Sequence, residues 1–263
     1  MIVDLHAYLG NWLPYQLAAS DAAGLIRLMD RNGIDVAFVS NVEGLFSFDL
    51  ATANERVAHW VAEYRTRLLP VGTINPALRT WRADALDGIA RLRLAGIRLH
   101  PAYHGYALDS DQVIALANLL AEHRLPLFLA TFVDEERFQH PAMRAPAIPI
   151  ARIIELIRRA PHTTIVLNNL FPEEAELLLL ESALPLENVA MDITAMDKPF
   201  NGLQRILTRF GSAHLVYGSQ MPFLYPEAAL ALVRVNGFVE TDVQAILENN
   251  WRKYPTLAQL IER

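Results

Sequence analysis

The chain has 263 residues, enough for one large α/β domain or two small ones. Hydrophobic residues make up 52%, which excludes a disordered chain, and the net charge of −6 gives no general attraction to nucleic acid or an anionic membrane. There is no cysteine, which excludes disulfides, thiolate metal sites and a cysteine nucleophile and fits a reducing cytoplasm.

The opening "MIVDLHAYLG" lacks the basic and apolar regions of a signal peptide, and apolar runs such as "AELLLL" are too short to span a bilayer. The expectation is a soluble, cytoplasmic protein. Eight β-rich runs then follow in order. They are "IVDLHAY" (2–8), "IDVAFVSN" (34–41), "LLPVGTI" (68–74), "GIRLH" (96–100), "LPLFLAT" (125–131), "TTIVLNN" (163–169), "NVAMDIT" (188–194) and "HLVYGSQ" (214–220). Helical patterns fill the gaps. "DAAGLIRLMDRNG" ends on Asn32-Gly33, a C-cap signal, and "DSDQVIALANLLAEHR" opens with acids suited to a helix N-terminus. "PIARIIELIRRA" and "PEEAELLLLESA" carry apolar residues at helical spacing behind an early proline.

Eight βα units over this length predict one (β/α)8 barrel spanning residues 1–263. The alternative is an open doubly wound sheet. It would show a glycine-rich phosphate loop after the first strand, where this chain has "HAYLGNW". No phosphate-loop, H-E-x-x-H or G-x-S-x-G motif is present. The longest irregular stretch, "FVDEERFQHPAMRAPAIP" (132–149), follows the fifth strand and is expected to be a mobile cover for the barrel mouth.

Catalytic residues of such barrels sit at the C-terminal ends of the strands, and alternate residues point inward. Strict alternation places Asp4, His6 and Tyr8 inward and Val3, Leu5 and Ala7 outward. It also points Arg98 and His100 inward from the fourth strand, Asp192 and Thr194 from the seventh, and Gly218 and Gln220 from the eighth.

"VDLHAYLG" resembles the opening of the amidohydrolase superfamily, in its amidohydrolase-related branch of (β/α)8 hydrolases and decarboxylases, which begins D-x-H-x-H-x-G. "GIRLHPAYHGYALD", "LPLFLAT", "NVAMDIT", "LVYGSQMPF" and "ILENNWRKY" are similar to later strands and the closing helix of that family, so the resemblance covers nearly the whole chain. It implies a metal-dependent hydrolase or decarboxylase. The departures are specific. The family's first strand supplies two histidine ligands; here they are His6 and Tyr8. Its fifth strand ends in a ligand histidine where this chain offers Ala130, and its sixth in another where it offers Asn169 beside Asn168. Its eighth carries a metal-binding aspartate in a G-[ST]-D-x-P-F pattern, at a position occupied here by Gln220.

Zinc requires three or four histidine, cysteine or carboxylate ligands, and a neutral amide is a poor ligand and no base. The expectation is therefore no resident cofactor and no metal ligand. Zinc would need a relocated set drawn from His100, His104 or His140.

The candidate catalytic residues are His6, His100, His104 and Asp192. His6 reads equally as a remnant bonded to Asn169 or Gln220. His100 and His104 titrate near neutrality but also suit packing roles. Tyr8, Arg98, Asn168, Asn169 and Gln220 are the candidate substrate-binding residues. Tyr8 could equally fill the lost metal site. Arg98 needs a buried partner, with Asp4 and Asp192 available, or it clamps a ligand carboxylate. Trp12, Phe132, Phe138 and Phe223 are candidate apolar walls. Three functions fit. One is a metal-independent hydrolase of a small carboxylate-bearing lactone or amide. The others are a non-catalytic descendant that binds a small molecule or a protein, and a metal hydrolase with relocated ligands. The expected ligand is a small molecule in the barrel mouth, not nucleic acid or a membrane.

Overall fold

The computed structural model describes residues 1–134, 139, 144–198 and 201–262. Eight strands pair in parallel and in sequence order: β1 Ile2–Leu9, β2 Ile34–Asn41, β3 Leu68–Thr73, β4 Ile97–Leu99, β5 Leu127–Ala130, β6 Ile165–Asn168, β7 Val189–Asp192 and β8 Leu215–Val216. A bridge between Ala7 and Met221 closes the sheet, with Leu5 N donating to Tyr217 O at 3.1 Å and Tyr8 N to Met221 O at 2.9 Å. Sequential order and closure establish the (β/α)8 barrel and exclude the doubly wound sheet.

The helices are α1 Ala22–Asn32, α2 Leu50–Trp60, α3 Trp81–Ala90, α4 Pro101–His104, α5 Asp111–Glu122, α6 Ile150–Arg159, α7 Pro172–Leu180, α8 Gly202–Phe210, α9 Pro226–Arg234, α10 Glu240–Gln244 and α11 Pro255–Ile261. Their ends follow local chemistry. Asp21 accepts from Gly24 N to start α1, and Gly33 ends it at φ 66°, its N–H returned to Asp30 O and Met29 O. Ser110 accepts from Val113 N to start α5. Ile153, Leu156 and Ile157 give α6 one buried stripe. Among the described residues no helix is long and apolar enough to cross a membrane.

Two cores result. The outer one joins the helices to strand residues such as Ala37, Val39, Ile97, Leu99, Leu127 and Leu167. The inner one takes Val36, Phe38, Val71, Phe128, Val166, Ala190 and Val216 from successive strands, and Trp251, Tyr254 and Leu257 plug it from below.

Strict alternation fails in β1, and this corrects the predicted facing. Val3 and Leu5 belong to the inner core, while Ala7 and Leu9 pack outward. The β1–β2 register shifts between Asp4 and Ala7, which oppose Ala37 and Val39, so β1 carries one extra residue there. The Asp4 carboxylate accepts from His6 N at 2.9 Å across that bulge and from Ser219 N and Oγ on the β8 side. Asp4 pairs in register with outward-facing Ala37, so it fastens β1 to β8 and does not line the barrel interior. His6 and Tyr8, beyond the bulge, keep the inward facing.

Candidate active site at the barrel mouth

The upper interior is polar. The His6 Nδ1 lies 2.8 Å from Asp192 Oδ2 and 3.4 Å from Thr194 Oγ1, and Nε2 is buried with no protein partner. Asp192 also accepts from Asn168 Nδ2 at 2.9 Å, Asn169 N at 3.1 Å and Thr194 N at 3.1 Å. Burial pushes the Asp192 carboxyl up, but His6 and the donated hydrogen bonds outweigh it and hold Asp192 below the usual carboxylate range. Burial pushes the His6 imidazole down, against the pull of Asp192, so it is neutral at pH 7. The pair therefore presents a neutral imidazole whose Nδ1–H faces a carboxylate and whose Nε2 carries the lone pair.

Tyr8 OH lies 3.2 Å from His100 Nε2, and its ring packs edge-on against Phe223. Burial raises the Tyr8 phenol to about 12 and pushes His100 well below its ordinary value, so both are neutral. His104 Nε2 sits 3.1 Å from Gly44 O, on α4.

Arg98 takes neither expected partner. Its Nη1 donates to Ala7 O at 2.9 Å and its Nη2 to Leu5 O at 3.0 Å, the carbonyls flanking the end of the β1 bulge. Its guanidinium lies 4.9 Å from the Tyr8 ring centre and 5.2 Å from that of Phe128. The bulge frees these carbonyls from the ladder and turns them inward, where a long, flat cation reaches them.

A cavity of about 490 Å³ opens at the mouth, above this layer, and Asn169, Thr194, Gln220, Lys198, Phe132 and Phe223 are among its walls. Of the predicted site residues, only Asn169 and Gln220 line it. His6, Tyr8, Arg98, His100, Asn168 and Asp192 lie fully buried, and His104 stands apart beside Gly44. Tyr15, Asp134, Lys198 and Leu224 also line it and were not predicted. They lie outside the strands, so strand periodicity gives no signal for them. One usable signal existed: Lys198, just after β7, is one of only two lysines in the chain.

Asn169 and Gln220 do not bond His6 or each other. Asn169 Nδ2 donates to Phe132 O at 2.9 Å, and Gln220 Nε2 donates to Val133 O. Both residues have left-handed backbones, φ 62° and 56°. That conformation swings each amide across the mouth toward the segment after β5 and away from His6. Thr131 Oγ1 adds bonds to Asn168 O at 3.1 Å and Asn169 O at 2.7 Å. Phe132, Val133 and Asp134 are thereby fixed as a wall of the cavity. The rest of the predicted cover is described only at residues 139 and 144–149. Residues 135–138 and 140–143, including Phe138 and His140, lie outside the described residues.

The family model for amidohydrolases matches residues 3–253. The chain belongs to the amidohydrolase family. It is similar in structure to 5-carboxyvanillate decarboxylase from Sphingomonas paucimobilis, at 16% identity over 97% of this chain and 98% of that one, with TM-score 0.73. It is also similar to 5-carboxyvanillate decarboxylase from Novosphingobium aromaticivorans, solved with manganese and 4-hydroxy-3-methoxy-5-nitrobenzoic acid (14% identity, 97% and 95% covered, TM-score 0.72). A third is 4-oxalomesaconate hydratase from Rhodopseudomonas palustris (14%, 100% and 98% covered, TM-score 0.67). At these identities the likeness is one of fold. No curated protein matches.

The residues present do not fit the family's metal. At the ligand positions Ala130 has no donor atom, Asn169 and Gln220 turn their amides to the loop carbonyls, and Tyr8 faces His100. Of the family's ligand positions only His6 offers a ring nitrogen without a protein partner, and among the described residues no three His, Asp or Glu side chains come together to hold an ion.

Proposed function

We propose that this amidohydrolase-family chain is a metal-independent hydrolase of a small carboxylate-bearing lactone or amide. The observation that supports it is the His6–Asp192 pair, with Nδ1 held at 2.8 Å and Nε2 without a protein partner. The mouth cavity has the volume of a small-molecule site, and its wall carries Lys198 as well as Asp134. In this reading His6 Nε2 takes a proton from water, and the resulting hydroxide adds to the carbonyl carbon. The C–O or C–N bond then breaks, and Nε2–H returns the proton to the leaving oxygen or nitrogen. Asp192 stays ionised throughout and fixes the tautomer. Asn169, Thr194 and Gln220 line the cavity while His6 does not, so the substrate carbonyl must pass this group to reach Nε2.

The complete burial of His6 favours a second reading, a non-catalytic barrel that binds such a molecule in the mouth. A panel of carboxylate-bearing lactones and amides, assayed by acid release on chelator-treated protein, separates the two. The first reading expects turnover that His6→Gln lowers by about 10² to 10⁴ while ligand binding persists. It also expects kcat/KM to fall on the acid side below the ordinary histidine range, as His6 protonates. Binding without turnover supports the second reading. Turnover that the chelator abolishes would overturn both.

A further inference from the structure

A cavity of about 670 Å³ lies at the opposite end of the barrel from the mouth. Val36, Leu69, Leu94, Leu125, Leu260 and Ile261 form an apolar trough between the lower strand ends and α11. Its polar rim carries Arg65, Arg93 and His123, and no acidic residue lines it among the described residues. This is a local excess of positive charge on a chain whose net charge is −6.

Arg65 and Arg93 stand on the same rim. Arg65 Nη1 donates to Arg93 O at 3.3 Å, and Nη2 to Leu92 O at 3.1 Å and Ala58 O at 3.3 Å, which fixes Arg65 at the groove. Burial, and then the charge of Arg93, hold Arg65 below the usual arginine range. Two cations on one rim, with no carboxylate among the described lining residues, form an anion site.

Arg124 makes the turn from α5 into β5 at φ 54°, and Arg93 has the same backbone. Arg93 turns the chain from α3 into β4 at φ 54°, in the left-handed region. The corresponding turn from α1 into β2 uses Gly33 at φ 66°. A non-glycine residue there is strained. Glycine would relieve that strain and would also remove the guanidinium from the groove rim.

We propose that this groove binds a single-chain amphipathic anion, a medium-chain monocarboxylate. The carboxylate sits between Arg65 and Arg93 and the chain lies along the trough toward Leu260 and Ile261. The volume is in the range of small-molecule sites, and an anionic head on an apolar body matches the division between rim and wall.

Calorimetric titration of the full chain with decanoate, below its micelle concentration, tests this. Decanoate is expected to bind at least about tenfold more tightly than decanol, with a preference that shrinks as salt is added. Arg93→Gly should weaken decanoate by about tenfold while raising the melting temperature, because it removes a left-handed arginine. A residue kept only for structure would not separate the two readouts in that direction. Arg93→Asn, which tolerates the same backbone, repeats the test if the glycine variant does not fold. Absence of decanoate binding would overturn the proposal. So would equal affinity for decanol, unchanged affinity in both Arg93 variants, or loss of binding in a mouth variant such as Gln220→Leu in their place.

Discussion

In the lower half of the barrel, Leu5, Phe38, Phe128 and Val166 face one another as an apolar layer, closed from below by Trp251, Tyr254 and Leu257. In the upper half, His6, Ser40, Thr73, Arg98, His100 and Asn168 each carry a buried side-chain atom with no protein partner. Arg98 marks the boundary, stacked between Phe128 and Tyr8. The same eight strands build both halves, so the difference lies in side chains alone. An apolar layer stabilises through burial and contact. A layer of unsatisfied polar groups does not, and a chain keeps one where a ligand or a reaction uses it.

The largest expected effect tests the lower half. Phe128 packs 5.4 Å from Phe38 across the interior and also supports the Arg98 guanidinium. Phe128→Ala should cost about 3 to 5 kcal/mol in a denaturant titration, since the closed strands cannot collapse into the void. A loss below about 1 kcal/mol would show that the two halves do not divide stability as described.

Acid should act on the upper half next. Burial lowers the pKa of His6, His100 and His104, so on acidification the unfolded chain takes up three protons that the folded chain refuses. Their contribution is present above the ordinary histidine value and is lost as pH falls below it. Asp4 works in the opposite sense. Burial raises its pKa to about 7, so the folded state holds a proton that the unfolded state releases. Glu174, raised by burial, also works that way. Three groups outweigh two, and stability should fall by about 1 to 3 kcal/mol per pH unit on passing from pH 6.5 to 5.5. Asp4→Asn mimics the protonated carboxyl between Ser219 and His6 N, so it should steepen that fall by up to about 1.4 kcal/mol per pH unit. Urea unfolding at both pH values measures this. A flat profile would mean that the buried histidines are protonated in the folded state.

The fold was legible because its signals are local. Gly33 closes α1 where "NG" said it would, and seven of the eight observed strands fall wholly in the predicted apolar runs, β1 running one residue past its own to Leu9. The bulge in β1 was not legible, because "VDLHAYL" alternates cleanly on paper whether or not a residue is inserted. That insertion reverses Leu5, removes Asp4 from the interior and supplies the carbonyls that satisfy Arg98. The donor set was half legible. The loss of family ligands at Tyr8, Ala130, Asn169 and Gln220 is visible in single residues. What Gln220 does is not, because its partner Val133 lies 87 positions away in a loop with no periodicity.

Gln220→Asp restores the family residue and has the smallest expected effect, and it bears on what the upper half has become. The side chain would lose the N–H that Val133 O accepts and present a carboxylate to that carbonyl. Asp192, already ionised and buried, adds like charge in the same layer. Aspartate is the better residue for φ 56°, which offsets a few tenths of a kcal/mol, so the net loss should be about 1 to 3 kcal/mol. Zinc should not restore it. The only ring nitrogen within the family set is His6 Nε2, and one imidazole with one carboxylate falls short of the three or four ligands zinc requires. Thermal melts of parent and variant, each with and without added zinc, decide the matter. A variant that melts above the parent and gains further with zinc would mean that the mouth still gathers a metal site. The amides of Asn169 and Gln220 would then be ligands turned aside to the loop carbonyls, and no longer the fasteners of the segment after β5.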